Sequence, residues 1–148
     1  MVLVDTTVWI DYFGSRSEPH VLALDELLKG DVDLCLCGVI LTEILQGIRS
    51  DSDYRKTRDY LDVLIILPMH PATFVRAAEL YRALRKKGVT IRKPIDCMIA
   101  AVAIENDLPL LHNDRDFDHI AKHSSLKILN MHDATGHYPA SPYAPVTR

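Results

Sequence analysis

Five short apolar runs divide this chain, and helical patterns fill the stretches between them. The runs are Val2–Val4, Asp33–Cys37, Ile65–Leu67, Pro109–His112 and Lys127–Leu129. Two strands joined through a helix must run parallel, because only a long crossover returns the chain to the same end of the sheet. Parallel strands are buried on both faces, which is why the runs are near-continuously apolar rather than alternating. The expectation is an α/β fold, a three-layer α/β/α sandwich with a mostly parallel central sheet of about five strands. At 148 residues the chain suits one domain with a real core.

The helices follow from spacing. Thr6 to Phe13 reads as helical, and Gly14 to Pro19 as a loop. Val21, Leu24, Leu27 and Leu28 recur at helical intervals until Gly30. Gly38 precedes a helix striped by Ile40, Leu41, Ile44, Leu45 and Ile48. Tyr54 to Leu64 continues as a helix expected to bury Tyr60, Leu61 and Leu64. A long helix spans Pro71 to Lys87, with Phe74, Ala77, Ala78, Tyr81 and Leu84 on its inner face. Gly88 ends it where left-handed backbone is common. Pro94 starts the helix striped by Ile95, Met98, Ile99 and Val102, and Phe117, Ile120 and Ala121 mark a last short one. The domain is expected over residues 1–136. Residues 137–148, with Pro139, Pro142 and Pro145, are expected to form an extended or disordered tail.

Acidic residues stand at the ends of these elements. Asp5 closes the first run, Glu43 lies in the helix after the second strand, Asp96 opens a later helix, and Asp114 follows the fourth strand. Each has an ordinary reading. Asp5 and one of Asp114 and Asp116 suit helix N-caps, and Asp96 suits the positive end of a helix dipole. Together they carry more, because residues just beyond parallel strand ends converge at the point where strand order reverses. Gathered carboxylates repel unless something positive neutralises them, and oxygen donors select a hard divalent cation such as Mg2+ or Mn2+. Ala100 and Ala103 leave room beside Asp96, and Gly47 lies one turn beyond Glu43. Thr7 could orient a carboxylate or water.

The remaining residues exclude other chemistry. Cys35, Cys37 and Cys97 cannot supply a four-sulfur zinc site and read as buried small hydrophobes. The opening residues lack a basic, then long apolar, leader, and no run approaches a bilayer span, so no membrane association and a cytoplasmic location are expected. Net charge is −3, which does not advertise a nucleic-acid binder, yet Arg82, Arg85, Lys86, Lys87, Arg92 and Lys93 cluster just before Asp96. Such a cluster suits a polyanion held beside a metal, or equally a solvated helix end. Trp9, Tyr12 and Phe13 read either as core or as a groove for a partner helix.

Four segments, taken in order, resemble a PIN domain, and specifically a VapC-type toxin ribonuclease. They are Val4-Asp5-Thr6-Thr7-Val8-Trp9-Ile10, Leu41-Thr42-Glu43-Ile44-Leu45-Gln46-Gly47, Ile95-Asp96-Cys97-Met98-Ile99-Ala100-Ala101 and Asn113-Asp114-Arg115-Asp116-Phe117. The resemblance covers roughly residues 1 to 130. It implies that Asp5, Glu43, Asp96 and Asp114 form a catalytic and metal-binding quartet, that Asp116 can join as a ligand, and that Thr7 supports them. His112 and Asn113 depart from the family, where Thr and a basic residue are common. The resemblance further implies a frequent homodimer and a small cognate antitoxin of the VapB type.

The expected activity is metal-assisted hydrolysis of an RNA phosphodiester, with Arg85, Lys86, Arg92 and Lys93 as candidate RNA-backbone contacts. Two other classes compete. One is a catalytically silent binding protein on the same fold. The other is a phospho-receiver module, which wants adjacent acids after the first strand and an acceptor Asp after the third. Here Thr6 follows Asp5, and Pro68-Met69-His70 follows Leu67.

Overall fold

The computed structural model describes residues 1–130. The elements follow in the order β1 (Val2–Val4), α1 (Thr6–Phe13), α2 (Pro19–Lys29), β2 (Leu34–Cys37), α3 (Gly38–Gln46), α4 (Asp51–Asp62), β3 (Ile65–Leu67), α5 (Pro71–Lys86), α6 (Pro94–Glu105), β4 (Pro109–Leu111), α7 (Arg115–Lys122) and β5 (Lys127–Ile128). The expected domain end at residue 136 and the tail 137–148 lie outside the described residues.

All five strands run parallel in the order β3-β2-β1-β4-β5. Each of β1, β2 and β4 is buried or nearly so, as the apolar runs require. Connections move outward from β1 to β2 to β3, then jump back across the sheet to β4 and on to β5. Right-handed crossovers send the helices before and after this reversal to opposite faces. In packing, α1 meets α2 and α3, α3 meets α4, α5 packs along α6, and α6 meets α7, while α3 also touches α6. The strand order also disposes of the phospho-receiver alternative, whose sheet runs 2-1-3-4-5 and whose third strand is central. Here β3 is an edge strand with Ile65 and Ile66 exposed.

Element starts and stops have local causes. Asp5 caps α1, Ser50 caps α4 and Asp114 caps α7, each accepting from a backbone N–H inside its helix. The Ser50 cap starts α4 at Asp51, three residues before the expected Tyr54, because the polar first turn carries no apolar periodicity to read. Proline opens α2, α5 and α6, where its missing N–H costs nothing. Gly88 closes α5 at φ +80°, and its N–H donates to Arg85 O.

The core centres on the sheet, with Leu3, Leu36 and Leu110 from the strands and Trp9, Ile40, Ile99, Phe117 and Ile120 from the helices fully enclosed. Cys35, Cys37 and Cys97 are buried, and burial pushes their thiols up to about 12, 11 and 11. Two expectations about inner faces are corrected. Tyr60 is 38% exposed and Phe74 is 43% exposed, and Ala78 also faces outward. α4 and α5 bury narrower stripes than their apolar residues suggested, Thr57 and Leu61 on one and Thr73, Ala77 and Leu84 on the other. Among the described residues no helix is long and apolar enough to cross a membrane.

Candidate metal centre

The reversal in strand order lies between β1 and β4, and the residues beyond their carboxyl ends meet there. Val4 pairs with Leu111, and the Asp5 N–H extends the pairing by donating to Leu111 O at 2.9 Å. That contact sets Asp5 beside the loop carrying His112, Asn113 and Asp114. Thr7 then joins the two strand ends through one hydroxyl. Its Oγ1 donates to Asp5 Oδ2 at 2.6 Å and accepts from the Asn113 N–H at 3.0 Å. The expected supporting role for Thr7 thus has a physical form, a tie between the first and last acidic loops.

The Asp114 loop is shaped by its own neighbours. Asp114 Oδ1 accepts from the Asp116 N–H at 3.0 Å, and the Asp114 N–H donates to His112 Nδ1 at 3.0 Å. The second contact places the His112 ring proton on Nε2, which lies 3.2 Å from Asp118 Oδ1. The ring is buried against Phe117. His112 therefore fixes the loop backbone through a ring nitrogen. This role was not legible in advance, since a lone His after a strand has no pattern of its own.

Asp96 comes from the first turn of α6 and completes the cluster. Carboxylate oxygens of Asp96, Asp114 and Asp116 all lie within 4.8 Å of one another. Asp96 is only 3% exposed, and its Oδ2 is buried with no hydrogen-bond partner. Burial lifts its carboxyl to about 7, opposed by the Lys93 ammonium and reinforced by the charges of Asp5, Asp114 and Asp116. Asp5 is raised as well, again by burial, with the Thr7 hydroxyl and the amides of Thr7 and Thr6 pulling the other way. Asp114 behaves differently. Burial would raise it, but the Asp116 N–H and the Lys93 and Arg92 cations hold it below the usual carboxylate value.

Glu43 stands at the rim rather than inside this cluster. It is half-buried on α3, and its Oε1 accepts from Thr6 Oγ1 at 2.8 Å. It shares electrostatic surroundings with Asp5, since both charges help raise the Cys37 thiol between them. Thr6, the residue that holds Glu43, went unsingled in the sequence although it sits in the Asp5-Thr6-Thr7 run.

The basic residues divide. Arg92 Nε donates to Asp116 Oδ2 at 3.0 Å and another guanidinium nitrogen to Asp114 Oδ1 at 3.2 Å, while Lys93 Nζ lies 3.0 Å from Asp114 Oδ2. Arg85 instead lies over the Tyr81 ring, 5.8 Å from its centroid, and Lys86 is an exposed residue in the last turn of α5.

The donor set fits a hard divalent ion. Three carboxylates from the starts of α6 and α7 converge, and one Asp96 oxygen is buried without a proton donor, which is costly unless a cation faces it. Thiols lie nearby only as protonated core residues. A second group, Asp11, Glu18 and His20, has a simpler account. His20 Nε2 is 2.6 Å from Asp11 Oδ2, and Arg16 lies 3.5 Å from both carboxylates, so both acids already have partners within the chain.

The aromatic group resolves into core and surface. Trp9 is enclosed and stacks on Phe13, with Tyr12 and Tyr60 edge-on. Phe13 also lines a groove of about 440 Å³ with Ile10, Ile44, Gly47, Ile48 and the α4 residues Asp53, Lys56 and Thr57.

Comparison with known proteins gives the family and the fold. The sequence matches the PIN domain family over residues 2–123. A protein named VapC ribonuclease Mb1587 from Mycobacterium bovis is 34% identical over 129 residues, covering 86% of this chain and 96% of that protein. Ribonuclease VapC11 of Mycobacterium tuberculosis gives the same identity and coverage. Among solved structures, VapBC2 from Rickettsia felis, bound to a promoter DNA fragment, superposes with a TM-score of 0.70 at 20% identity, covering 88% of this chain and 98% of that one. FitAcB from Neisseria gonorrhoeae superposes with a TM-score of 0.65 at 19% identity over 88% of this chain and 98% of that one. At such identities the structures speak to the fold.

Proposed function

The chain belongs to the PIN-domain family, in its VapC branch, and from that membership we propose that it is a Mg2+- or Mn2+-dependent endoribonuclease toxin restrained by a small cognate antitoxin. The observation that carries the reading is the convergence of Asp96, Asp114 and Asp116, together with the buried, unpartnered Oδ2 of Asp96. Asp5, Asp96, Asp114 and Asp116 are the proposed ligands, and Glu43 completes the catalytic set from the rim.

A divalent ion bound there supplies Lewis acidity, lowering the pKa of water and offsetting charge on the scissile phosphate. The protein's own groups do the positioning. Thr7 holds Asp5 against the Asp114 loop, His112 fixes the backbone of that loop, and Thr6 holds the Glu43 carboxylate through its hydroxyl. No side chain is required as a covalent nucleophile. Arg85, Lys86, Arg92 and Lys93 are the proposed contacts to the RNA backbone. The groove between α1, α3 and α4 is the proposed seat for an antitoxin helix, because it offers apolar Ile10, Phe13 and Ile48 to an apolar helix face. A homodimer acting in the cytoplasm is the proposed assembly. Light scattering that returns a monomer mass at micromolar concentration refutes the dimer.

The test is RNA cleavage by purified protein with Mg2+ or Mn2+, with chelator, and by Asp96→Asn. Wild type should cleave only with metal, and the variant should be at least a hundredfold slower while folded. Equal cleavage by the two proteins refutes the assignment. Folded, metal-loaded wild type that leaves every RNA intact favours the silent-binder reading.

A further inference from the structure

Arg92 and Lys93 stand where a cation is disfavoured by the helix they precede. Lys93 is the N-cap of α6, and Arg92 comes just before it, at the positive end of the helix dipole. Both side chains nevertheless reach the acidic cluster with their charged ends while staying more than half exposed, 59% for Arg92 and 52% for Lys93. Arg92 spans two different carboxylates, with Nε on Asp116 and a terminal nitrogen on Asp114, and Lys93 takes the second oxygen of Asp114. The carboxylates that they engage, Asp114 and Asp116, are two of the three that converge within 4.8 Å. Asp96 differs: neither cation reaches its buried Oδ2. The cluster therefore joins two carboxylates bound by the chain's own cations to a third, Asp96, with a buried oxygen that has no partner.

We infer that Arg92, assisted by Lys93, is a built-in counter-cation that competes with the divalent ion for Asp114 and Asp116 and so sets the metal affinity of the site. The inference rests on the metal-centre reading above. An ion seated among these carboxylates competes with the guanidinium fork, because the fork and the ion draw on the same two acidic residues, Asp114 and Asp116. The displaced Arg92, on a side chain that is 59% exposed, then faces outward beside the metal, where a phosphate oxygen is its natural partner. Metal loading and RNA capture become coupled through one residue. The carboxylates are meanwhile kept from repelling one another before the ion arrives, a role that the dipole of α6 cannot fill for the oxygens of the β4–α7 loop.

The experiment is Mn2+ titration of the purified protein without RNA, followed by the loss of the free-ion EPR signal, for wild type, Arg92→Gln and Arg92→Lys. Arg92→Gln should bind Mn2+ roughly three- to tenfold more tightly than wild type, the range that two half-exposed ion pairs command. Arg92→Lys should fall between, since it keeps the charge and loses the fork. The gap between wild type and Arg92→Gln should narrow as KCl is raised. Equal, saturable binding by wild type and Arg92→Gln, or weaker binding by the variant, overturns this inference alone. No Mn2+ binding by any of the three overturns the metal-centre reading and this inference together.

Discussion

Asp96→Asn should make the metal-free protein more stable while destroying its activity, and the size of the gain can be worked from the site. Asp96 is buried, one of its oxygens has no partner, and three other carboxylates bear on it. Its carboxyl moves from the ordinary 3.8 to about 7. Each pH unit between a folded and an unfolded value corresponds to about 1.4 kcal/mol, so the ionised form carries a penalty of at most about 4 kcal/mol. Water at the mouth of the site screens part of this, leaving about 2 kcal/mol. The sign follows from proton counting. Between pH 4 and 7 the folded state holds a proton that the unfolded state has lost, so this residue's contribution to stability falls as pH rises through that window and is flat above it. Asn keeps the shape and never ionises. Urea melts in chelator should therefore show Asp96→Asn more stable than wild type by about 2 kcal/mol at pH 8, with the difference shrinking towards pH 5. For a domain of this size the gain corresponds to a rise in Tm of roughly 5–10 °C. Adding Mn2+ should stabilise wild type and leave the variant nearly unmoved, because only the intact ligand set binds the ion. A variant that melts at or below wild type at pH 8 in chelator refutes the claim that Asp96 is held under electrostatic strain.

Thr7→Val should cost about 1 kcal/mol by breaking the tie between Asp5 and the Asn113 N–H, and should weaken Mn2+ binding severalfold. Unchanged Mn2+ affinity would show that Thr7 serves only the fold. Neutralising Arg85 and Lys86 together should flatten the salt dependence of binding to an uncleavable RNA by about 1.4 in log–log slope, the value for two contacts on a single strand. An unaltered slope would place both residues away from the RNA. Ile10→Glu, at a position 53% exposed on the α1 groove, should abolish capture of the antitoxin in a co-purification while leaving RNA cleavage intact. Retained capture would move the partner's seat elsewhere.

Much of the fold was legible because its signals are local. A run such as Val2–Val4 is apolar without alternation, and that alone demands burial on both sides. Gly88 and Pro94 mark a stop and a start through backbone chemistry that needs no partner. Asp5, Asp96 and Asp114 could be nominated for one site because each closes or opens an element, and parallel connectivity sends those ends to one edge. Inner faces were less legible. Phe74 and Tyr60 fall at plausible core spacings yet remain partly exposed, since spacing tells which residues share a stripe but not how much of that stripe a neighbour covers.

By itself the sequence determined that this is a parallel α/β domain with acidic residues at its strand ends, because hydrophobic period, helix capping and proline position are properties of neighbouring residues. Only the tertiary structure decided who meets whom. Pairing of β1 with β4 rather than β3 put Asp5 beside the Asp114 loop and made the reversal point a pocket. Packing of α6 against α7 brought Asp96 to Asp114 and Asp116, left Glu43 at the rim, and set the charged ends of Arg92 and Lys93 on the cluster. Those outcomes depend on contacts between segments far apart in the chain, where angstrom-scale reach decides whether a carboxylate finds a cation, a hydroxyl or nothing.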